Sequence, residues 1–109
     1  MTAPSRREKI EEMLKAEPED QFLRYSLACE YDNEDRSDEG LALFRGLIAH
    51  QPPHVHAFFR GAQLLVKLDR IADARAMLRD GIEIARQQGE MHAAGEMGEL
   101  LASLGSLGE

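Results

Sequence analysis

The 109-residue sequence lacks most features of secreted and membrane proteins. It has a single cysteine, Cys29, so the chain can form no internal disulfide and cannot build a metal site from thiolates alone. No apolar run approaches the roughly 18 residues of a membrane span, and the polar first residues offer no signal-peptide core. These absences predict a soluble, cytoplasmic protein with no membrane partner.

Basic residues are also in short supply. The chain has 13 Lys and Arg against 20 Asp and Glu, which gives a net charge of −7 at pH 7. A protein that binds the phosphate backbone of nucleic acids needs clustered Lys and Arg to displace counterions. We therefore expect no nucleic-acid partner, and the acidic excess weakly favours a basic or neutral partner.

Motifs for catalysis are missing as well. The sequence contains no Gly-rich phosphate loop and no His-Glu-x-x-His, and every histidine is predicted to lie on a different helix or turn from Cys29. The acidic neighbours Glu30 and Asp32 are expected to raise the pKa of the Cys29 thiol. We expect no enzyme activity and no cofactor, and a small helical enzyme is the weaker alternative.

Two polar clusters resemble metal sites only superficially. His50, His54 and His56 surround a Pro-Pro pair, but they fall at the end of one predicted helix and the start of the next, so their rings point in different directions. The acidic turn at residues 32–39 lacks the central glycine and the alternating oxygen ligands of a calcium loop. We predict no metal site in either cluster.

The sequence does contain a repeat of 34 residues. Residues 18–51 align without a gap over residues 52–85, and the alignment pairs identical residues at seven positions: Pro18 with Pro52, Ala28 with Ala62, Asp35 with Asp69, Arg36 with Arg70, Ala42 with Ala76, Arg45 with Arg79, and Ile48 with Ile82. A fixed period of this size indicates stacked units, each of which buries its apolar face only against its neighbours. Such arrays display surfaces on which other macromolecules bind.

Apolar spacing and capping signals predict six helices. Ser5 with Glu8 forms a capping box at the first, and Pro18 and the Pro52-Pro53 pair separate later ones. Few β-branched residues and no alternating pattern compete, so the predicted class is all-α. The tail, residues 105–109, is expected to fray.

One predicted helix carries three arginines. Arg75, Arg79 and Arg86 are interleaved with Asp80 and Glu83 on the fifth helix. Because Arg79 and Glu83 are four residues apart, their side chains lie on one face of the helix. We expect all three arginines to form a solvated surface that pairs with its own acids.

The positions of small residues within each unit identify a family. The first unit reads Arg24-x2-Leu27-Ala28-x2-Tyr31, then Gly40-x3-Phe44, then Pro52, and the second reads Phe58-x2-Gly61-Ala62-x2-Leu65, then Ala74-x3-Leu78. This pattern resembles the tetratricopeptide repeat, whose motif is W-x2-L-G-x2-Y, A-x3-F and P. Small residues are needed where two antiparallel helices cross closely, so Ala28 should meet Gly40 and Ala62 should meet Ala74.

The resemblance implies one domain, an α-solenoid of antiparallel helix pairs. Residues 5–17 would form the helix of a partial repeat, residues 18–51 and 52–88 two full repeats, and residues 91–104 a capping helix. The sequence departs from the pattern at Arg24, where an aromatic residue is usual, and at Gly61, where leucine is usual. It also has Arg86 in place of the final proline, so we expect a tilted or looser last unit.

The resemblance also implies a non-catalytic module that binds a peptide or helix of a partner protein in a concave groove. The groove positions fall on the first helix of each repeat: Phe22, Tyr25, Cys29, Asp32 and Asn33, then His56, Phe59, Gln63, Val66 and Lys67.

Two questions about this groove stay open. Tyr25 and Phe59 either anchor a partner or pack between neighbouring helices, with equal weight. Some members of the family bind C-terminal carboxylates, but Tyr25 and Cys29 stand where their Lys and Asn first occur, so we do not expect that ligand. Self-association as a homodimer is the alternative to partner binding, and a widely exposed apolar edge on the first or last helix would favour it.

Overall fold

The computed structural model describes residues 2–105, and within that range it contains six α-helices and no strand. The helices are α1 (Arg6–Ala16), α2 (Gln21–Asn33), α3 (Ser37–Ala49), α4 (Val55–Lys67), α5 (Ile71–Gln87) and α6 (Met91–Leu104). The predicted all-α class is confirmed. None of these helices is long and apolar enough to cross a membrane. Of the tail that was expected to fray, only Gly105 lies among the described residues.

Side chains satisfy the free backbone N–H groups at the starts of the first two helices. The predicted capping box is present: Ser5 Oγ accepts from the Glu8 N–H at 3.1 Å, and Glu8 Oε1 accepts from the Ser5 N–H at 3.0 Å. At the start of α2, Asp20 Oδ1 accepts from the Leu23 N–H at 2.9 Å. These bonds set where the two helices begin, because the first N–H groups of a helix have no partner within it.

Three of the helices end in the same type of turn. Asp35, Asp69 and Gly89 follow α2, α4 and α5 with positive φ angles of 59°, 61° and 75°. Each turn is closed by a backbone bond that spans five residues, from the N–H of Arg36 to Tyr31 O, of Arg70 to Leu65 O, and of Glu90 to Ala85 O, all at 2.8 Å. This is the Schellman arrangement, which satisfies the last carbonyls of a helix and reverses the chain.

Gly40 lies where α2 and α3 cross closely at Ala28, as predicted. A Cβ atom built on Gly40 of α3 would lie 3.1 Å from the carbonyl oxygen of Ala28 in α2. Ala28, Ala62 and Ala74 have no exposed surface. Large side chains fill the space beside these crossings, and the largest of those that are fully buried are Phe44, Leu47, Leu64, Leu65, Leu78 and Met97.

The prediction that Arg75 belongs to a solvated surface is wrong, whereas Arg79 and Arg86 are exposed as predicted. Arg75 is 5% exposed, and its Nη2 donates to the carbonyl oxygen of Gly105 at 2.8 Å and approaches that of Leu104 at 3.4 Å. The last carbonyls of a helix lack partners within it, so the guanidinium of Arg75 satisfies the end of α6.

In the last unit, which was expected to be tilted or looser, α5 approaches its neighbouring helices closely at Gly81. A Cβ atom built on Gly81 of α5 would lie 2.6 Å from Phe58 Cβ in α4 and 2.7 Å from Met97 Sδ in α6. Because α5 continues to Gln87 before its chain reversal at Gly89, its second half packs against α6.

The helices form an inner and an outer layer. Among the described helices, α2 contacts α4 and α4 contacts α6, whereas α1, α3 and α5 do not contact one another. The first helices of the pairs therefore converge and the second helices spread apart. This arrangement places α2, α4 and α6 on an inner face, where the predicted groove residues lie.

Substituting Gly81 tests the close approach of α4, α5 and α6. We expect Gly81→Ala to destabilise the fold by about 1–3 kcal/mol, because the added methyl group meets Phe58 and Met97. The matched control is Gly95→Ala in α6, where a Cβ atom meets nothing within 4 Å. That variant should gain about 0.5–1 kcal/mol from the better helix former. Urea unfolding measures both, and a stable Gly81→Ala variant would contradict the close packing.

A second prediction follows from the positive φ angle of Asp69 in its Schellman turn. Replacing Asp69 by glycine should stabilise the fold by up to about 1 kcal/mol, because glycine has no Cβ atom to oppose a positive φ angle. Asp38→Gly is the control, since Asp38 is exposed and lies in the first turn of α3, where glycine should destabilise. Equal losses of stability in the two variants, measured by thermal unfolding, would argue against a left-handed turn at residue 69.

Candidate functional site

A strip of polar and aromatic side chains runs along the inner face where α2 meets α4. It consists of Tyr25, Cys29 and Asp32 on α2 and of Arg60 and Lys67 on α4. The α2 residues are spaced by four and three positions and the α4 residues by seven, so each set lies on one side of its helix. We call this strip, together with His56, Phe59, Gln63 and Val66 on α4, the inner groove.

Asp32 joins the two helices in the inner groove. Its Oδ1 accepts from Lys67 Nζ at 2.9 Å, and its Oδ2 lies 3.6 Å from Arg60 Nη2. Lys67 Nζ also donates to the backbone oxygen of Asp32 at 3.2 Å and pairs with Asp35 at 3.3 Å. These partners raise the pKa of Lys67, the hydrogen bond to Asp32 having the largest effect. Both predicted groove positions, Asp32 and Lys67, are thus engaged with each other across the groove.

Tyr25 packs between neighbouring helices. Its ring lies 5.1 Å from that of His54 in a stacked arrangement and 5.9 Å from that of Phe44 in an edge-to-face one. Burial raises the pKa of Tyr25 to about 12. Phe59 is also partly buried and packs against the core, as does Val66. The structure therefore favours the packing alternative for both aromatic rings, and only part of each faces the groove.

Cys29 lies between Tyr25 and Arg60 and has the raised pKa that was predicted, but for a different main reason. Burial raises the pKa most, and Asp32 adds a smaller effect, while the nearby Arg60 and Tyr25 lower it. Glu30, which was expected to contribute, instead pairs with Arg6 at 2.7 Å. A half-buried thiol with a raised pKa stays protonated at neutral pH, so it is a poor nucleophile.

The other predicted groove residues differ in their surroundings. His56 and Gln63 are exposed on α4, and Asn33 is exposed at the end of α2, where it donates to Glu30 Oε2 at 3.1 Å. Phe22 is 73% exposed and lines a hollow between α1 and α2 with Met13. The structure thus places Phe22 beside Met13 of α1.

Sequence reasoning missed Arg60. It lies four residues after His56 and seven before Lys67, so helical spacing places it on the same side of α4 as these two predicted residues. Extending that spacing would have found it. Its guanidinium reaches towards Asp32 and Cys29 on α2, and its buried Nε has no hydrogen-bond partner among residues 2–105.

A cleft of about 290 Å³ lies at the end of the inner face where α2 and α4 begin. His50, His54 and His56 line it, together with Gln21 and Glu90. Their proximity does not make a metal site: among residues 2–105, no group of three or more His, Cys, Asp and Glu side chains could hold an ion. His50 Nδ1 instead contacts the carbonyl oxygen of Pro52 at 3.1 Å.

His54 is a partly buried titratable residue of this cleft. Its Nδ1 is buried, and the described part of the chain provides no hydrogen-bond partner for it. Burial lowers the pKa of His54, and the neighbouring His56 lowers it further. The folded protein therefore favours the neutral imidazole.

Acid should destabilise the fold through His54. The unfolded chain binds a proton at His54 more readily, so the contribution of this group to stability is complete above pH about 6.5 and is lost as pH falls towards its lower folded pKa. We expect the urea midpoint to fall between about pH 7 and pH 5.5, and to fall less in His54→Phe, which keeps a ring on Tyr25. His92→Phe is the control, because His92 is exposed. An unchanged pH dependence in His54→Phe would contradict this assignment.

Comparisons with known proteins agree with this architecture. A sequence model of the tetratricopeptide repeat matches residues 34–97. A solution NMR structure of a tetratricopeptide repeat domain protein from Salinibacter ruber is 34% identical, with a TM-score of 0.77 over 83% of this chain and 91% of that one. A crystal structure of a tetratricopeptide repeat domain protein from the same organism is 34% identical, with a TM-score of 0.74 over 82% of this chain and 99% of that one. A search of curated proteins found no match. The chain belongs to the tetratricopeptide repeat family.

Proposed function

We propose that the chain binds a segment of a partner protein along the inner groove. Residues 18–51 and 52–88 form the two repeats whose first helices line this groove, and the flanking helices complete the domain. The observation that carries the proposal is the arrangement of α2 and α4, which presents partly buried rings beside exposed polar side chains on one open surface. The family generally serves protein interaction and is generally non-catalytic.

The chemistry of the groove suggests the kind of segment that it binds. Phe59 and Val66 offer partly buried apolar surface, and Gln63 and His56 offer exposed hydrogen-bonding groups next to them. A short helix or extended peptide with at least one apolar side chain matches this mixture. Because rigid helices hold these side chains in place, little conformational entropy is lost on binding.

A C-terminal carboxylate is a poorer match. Lys67 and Arg60 are the cations of the inner groove, and both already lie next to Asp32. A carboxylate ligand would have to compete with Asp32 for them. The positions that bind such ligands elsewhere in the family hold Tyr25 and Cys29 here, which present a phenol and a protonated thiol.

The enzyme alternative gains no support from the described clefts. The cleft at His54 is open to solvent, and the pKa of His54 is lowered mainly by burial and not by a catalytic partner. A catalytic site needs a nucleophile and a base within hydrogen-bond reach of each other. We propose a cytoplasmic interaction module, in keeping with the single half-buried thiol.

Exposed groove residues provide the test, because Tyr25 and Phe59 also support the core. The triple variant His56→Ala/Gln63→Ala/Lys67→Ala removes side chains that are exposed, so helicity by circular dichroism should be unchanged. We expect a partner captured by the wild-type protein to bind the triple variant at least about tenfold more weakly, which corresponds to about 1.4 kcal/mol. Quantitative pull-down, followed by titration with the identified segment, measures this.

The matched control is Arg79→Ala/Glu83→Ala, which changes exposed residues of the outer helix α5. This control should retain the partner with the affinity of the wild type. If the triple variant binds as well as the wild type, or if only the α5 variant loses the partner, binding does not occur in the inner groove.

A further inference from the structure

The first two helices leave an apolar hollow uncovered. Between α1 and α2 lies a space of about 230 Å³, which we call the end notch; its apolar lining is Ile10, Met13, Phe22 and Leu23, and its charged lining is Arg6 and Lys9. Met13 is 50% exposed and Phe22 is 73% exposed. Two large apolar side chains on one exposed surface indicate an interaction site more strongly than scattered ones do.

The repeat shows what kind of element covers such a surface. Met13 precedes Leu47 by one repeat of 34 residues, and Ile10 precedes Phe44 by the same interval. In the complete unit, α2 packs on α3, and Leu47 and Phe44 are 1% and 0% exposed. No described helix packs on α1 in the way that α2 packs on α3. The end notch therefore has the shape to accept a helix equivalent to α2, the first helix of its pair.

The charges at the end notch select an acidic helix. Arg6 and Lys9 are the charged residues of its lining. Arg6 already pairs with Glu30 at 2.7 Å, so Lys9 is the cation of the lining for which the described residues provide no ion pair. The acids nearby are already engaged, since Glu8 caps Ser5 and Glu12 pairs with Lys15 at 3.0 Å. A helix that brings a carboxylate next to Lys9 would give the ammonium group of Lys9 an opposite charge to pair with.

The opposite end of the same molecule presents such a helix. Met91, Gly95, Gly98 and Ala102 lie on one side of α6, with Glu99 beside them; we call these residues the α6 face. Met91 is 62% exposed, and the other four include the exposed Gly95, Glu99 and Ala102. Residues 91–104 contain two glutamates and no Lys or Arg, so this helix carries acids that can pair with Lys9 of the end notch.

Packing within residues 2–105 does not explain the glycines of the α6 face. A Cβ atom on Gly95 or Gly98 would meet no atom of the described residues within 4 Å, and neither glycine has a positive φ angle. Each glycine within a helix costs about 1 kcal/mol relative to alanine. A flat surface of small residues does allow another helix and its large side chains, such as Met13 and Phe22, to approach closely.

From these observations we infer that two copies of the chain associate head to tail, with the α6 face of one copy seated in the end notch of the other. The interface joins two different surfaces, so further copies can add at both ends. This association uses neither Tyr25 nor Lys67, and it is therefore separate from the proposed binding in the inner groove.

Two variants that each block one surface test this inference. Met13→Gln/Phe22→Gln blocks the end notch, and Gly95→Gln/Gly98→Gln blocks the α6 face; circular dichroism and urea unfolding confirm that each folds. Sedimentation equilibrium of the wild type should show the average mass rising above 12.2 kDa over about 0.01–1 mM protein. Each blocked variant alone should stay at the monomer mass. An equal mixture of the two should form pairs and nothing larger, because each variant still offers the surface that the other accepts.

Two controls separate this association from other causes. Gly46→Gln in α3 changes another exposed helical glycine and should associate like the wild type. The groove variant His56→Ala/Gln63→Ala/Lys67→Ala should do the same, whether or not it has lost its partner. A wild type that stays monomeric up to about 1 mM, or blocked variants that fail to pair when mixed, would overturn the inference.

Discussion

The close crossing of two helices within each repeat is the constraint on which the rest of the structure depends. At Gly40, a single methyl group would approach the backbone of Ala28 to 3.1 Å, so this pair of residues sets how near α2 and α3 lie. Close crossings let the large side chains beside them, such as Phe44 and Leu65, fill the remaining space completely. With that spacing fixed, α4 lies near enough to α2 for Lys67 to reach Asp32.

The same constraint shapes the two faces of the molecule. Because the first helices of the pairs converge, their exposed side chains share one inner surface, while the outer helices stay apart. Inside the array every apolar stripe is covered by the next unit. At the ends no described helix provides that cover, so Met13 is exposed whereas Leu47, one repeat further on, is buried, and Met91 is exposed on the last helix. The inner groove and the end notch thus have the same cause, since each helix pair packs only against its neighbours.

Most of the fold could be predicted from the sequence, because the 34-residue period and the small residues are local signals. The groove positions Asp32 on α2 and Lys67 on α4 followed from the resemblance to the repeat family. The surroundings of Arg75 did not, since its guanidinium bonds to carbonyls 29 and 30 residues further along the chain. Phe22 was assigned to the groove from its repeat position, but the placement of α1 decides that it lines the end notch.

The central claim is that partners bind on the inner face, and nuclear magnetic resonance tests it most directly. The ¹H–¹⁵N spectrum of the labelled protein would be recorded during titration with the segment of a captured partner. If the segment binds there, the shifted amide signals should be concentrated around Cys29 and Asp32 on α2 and around Gln63 and Lys67 on α4. Shifts concentrated on the outer helices α3 and α5, with those four signals unmoved, would contradict it.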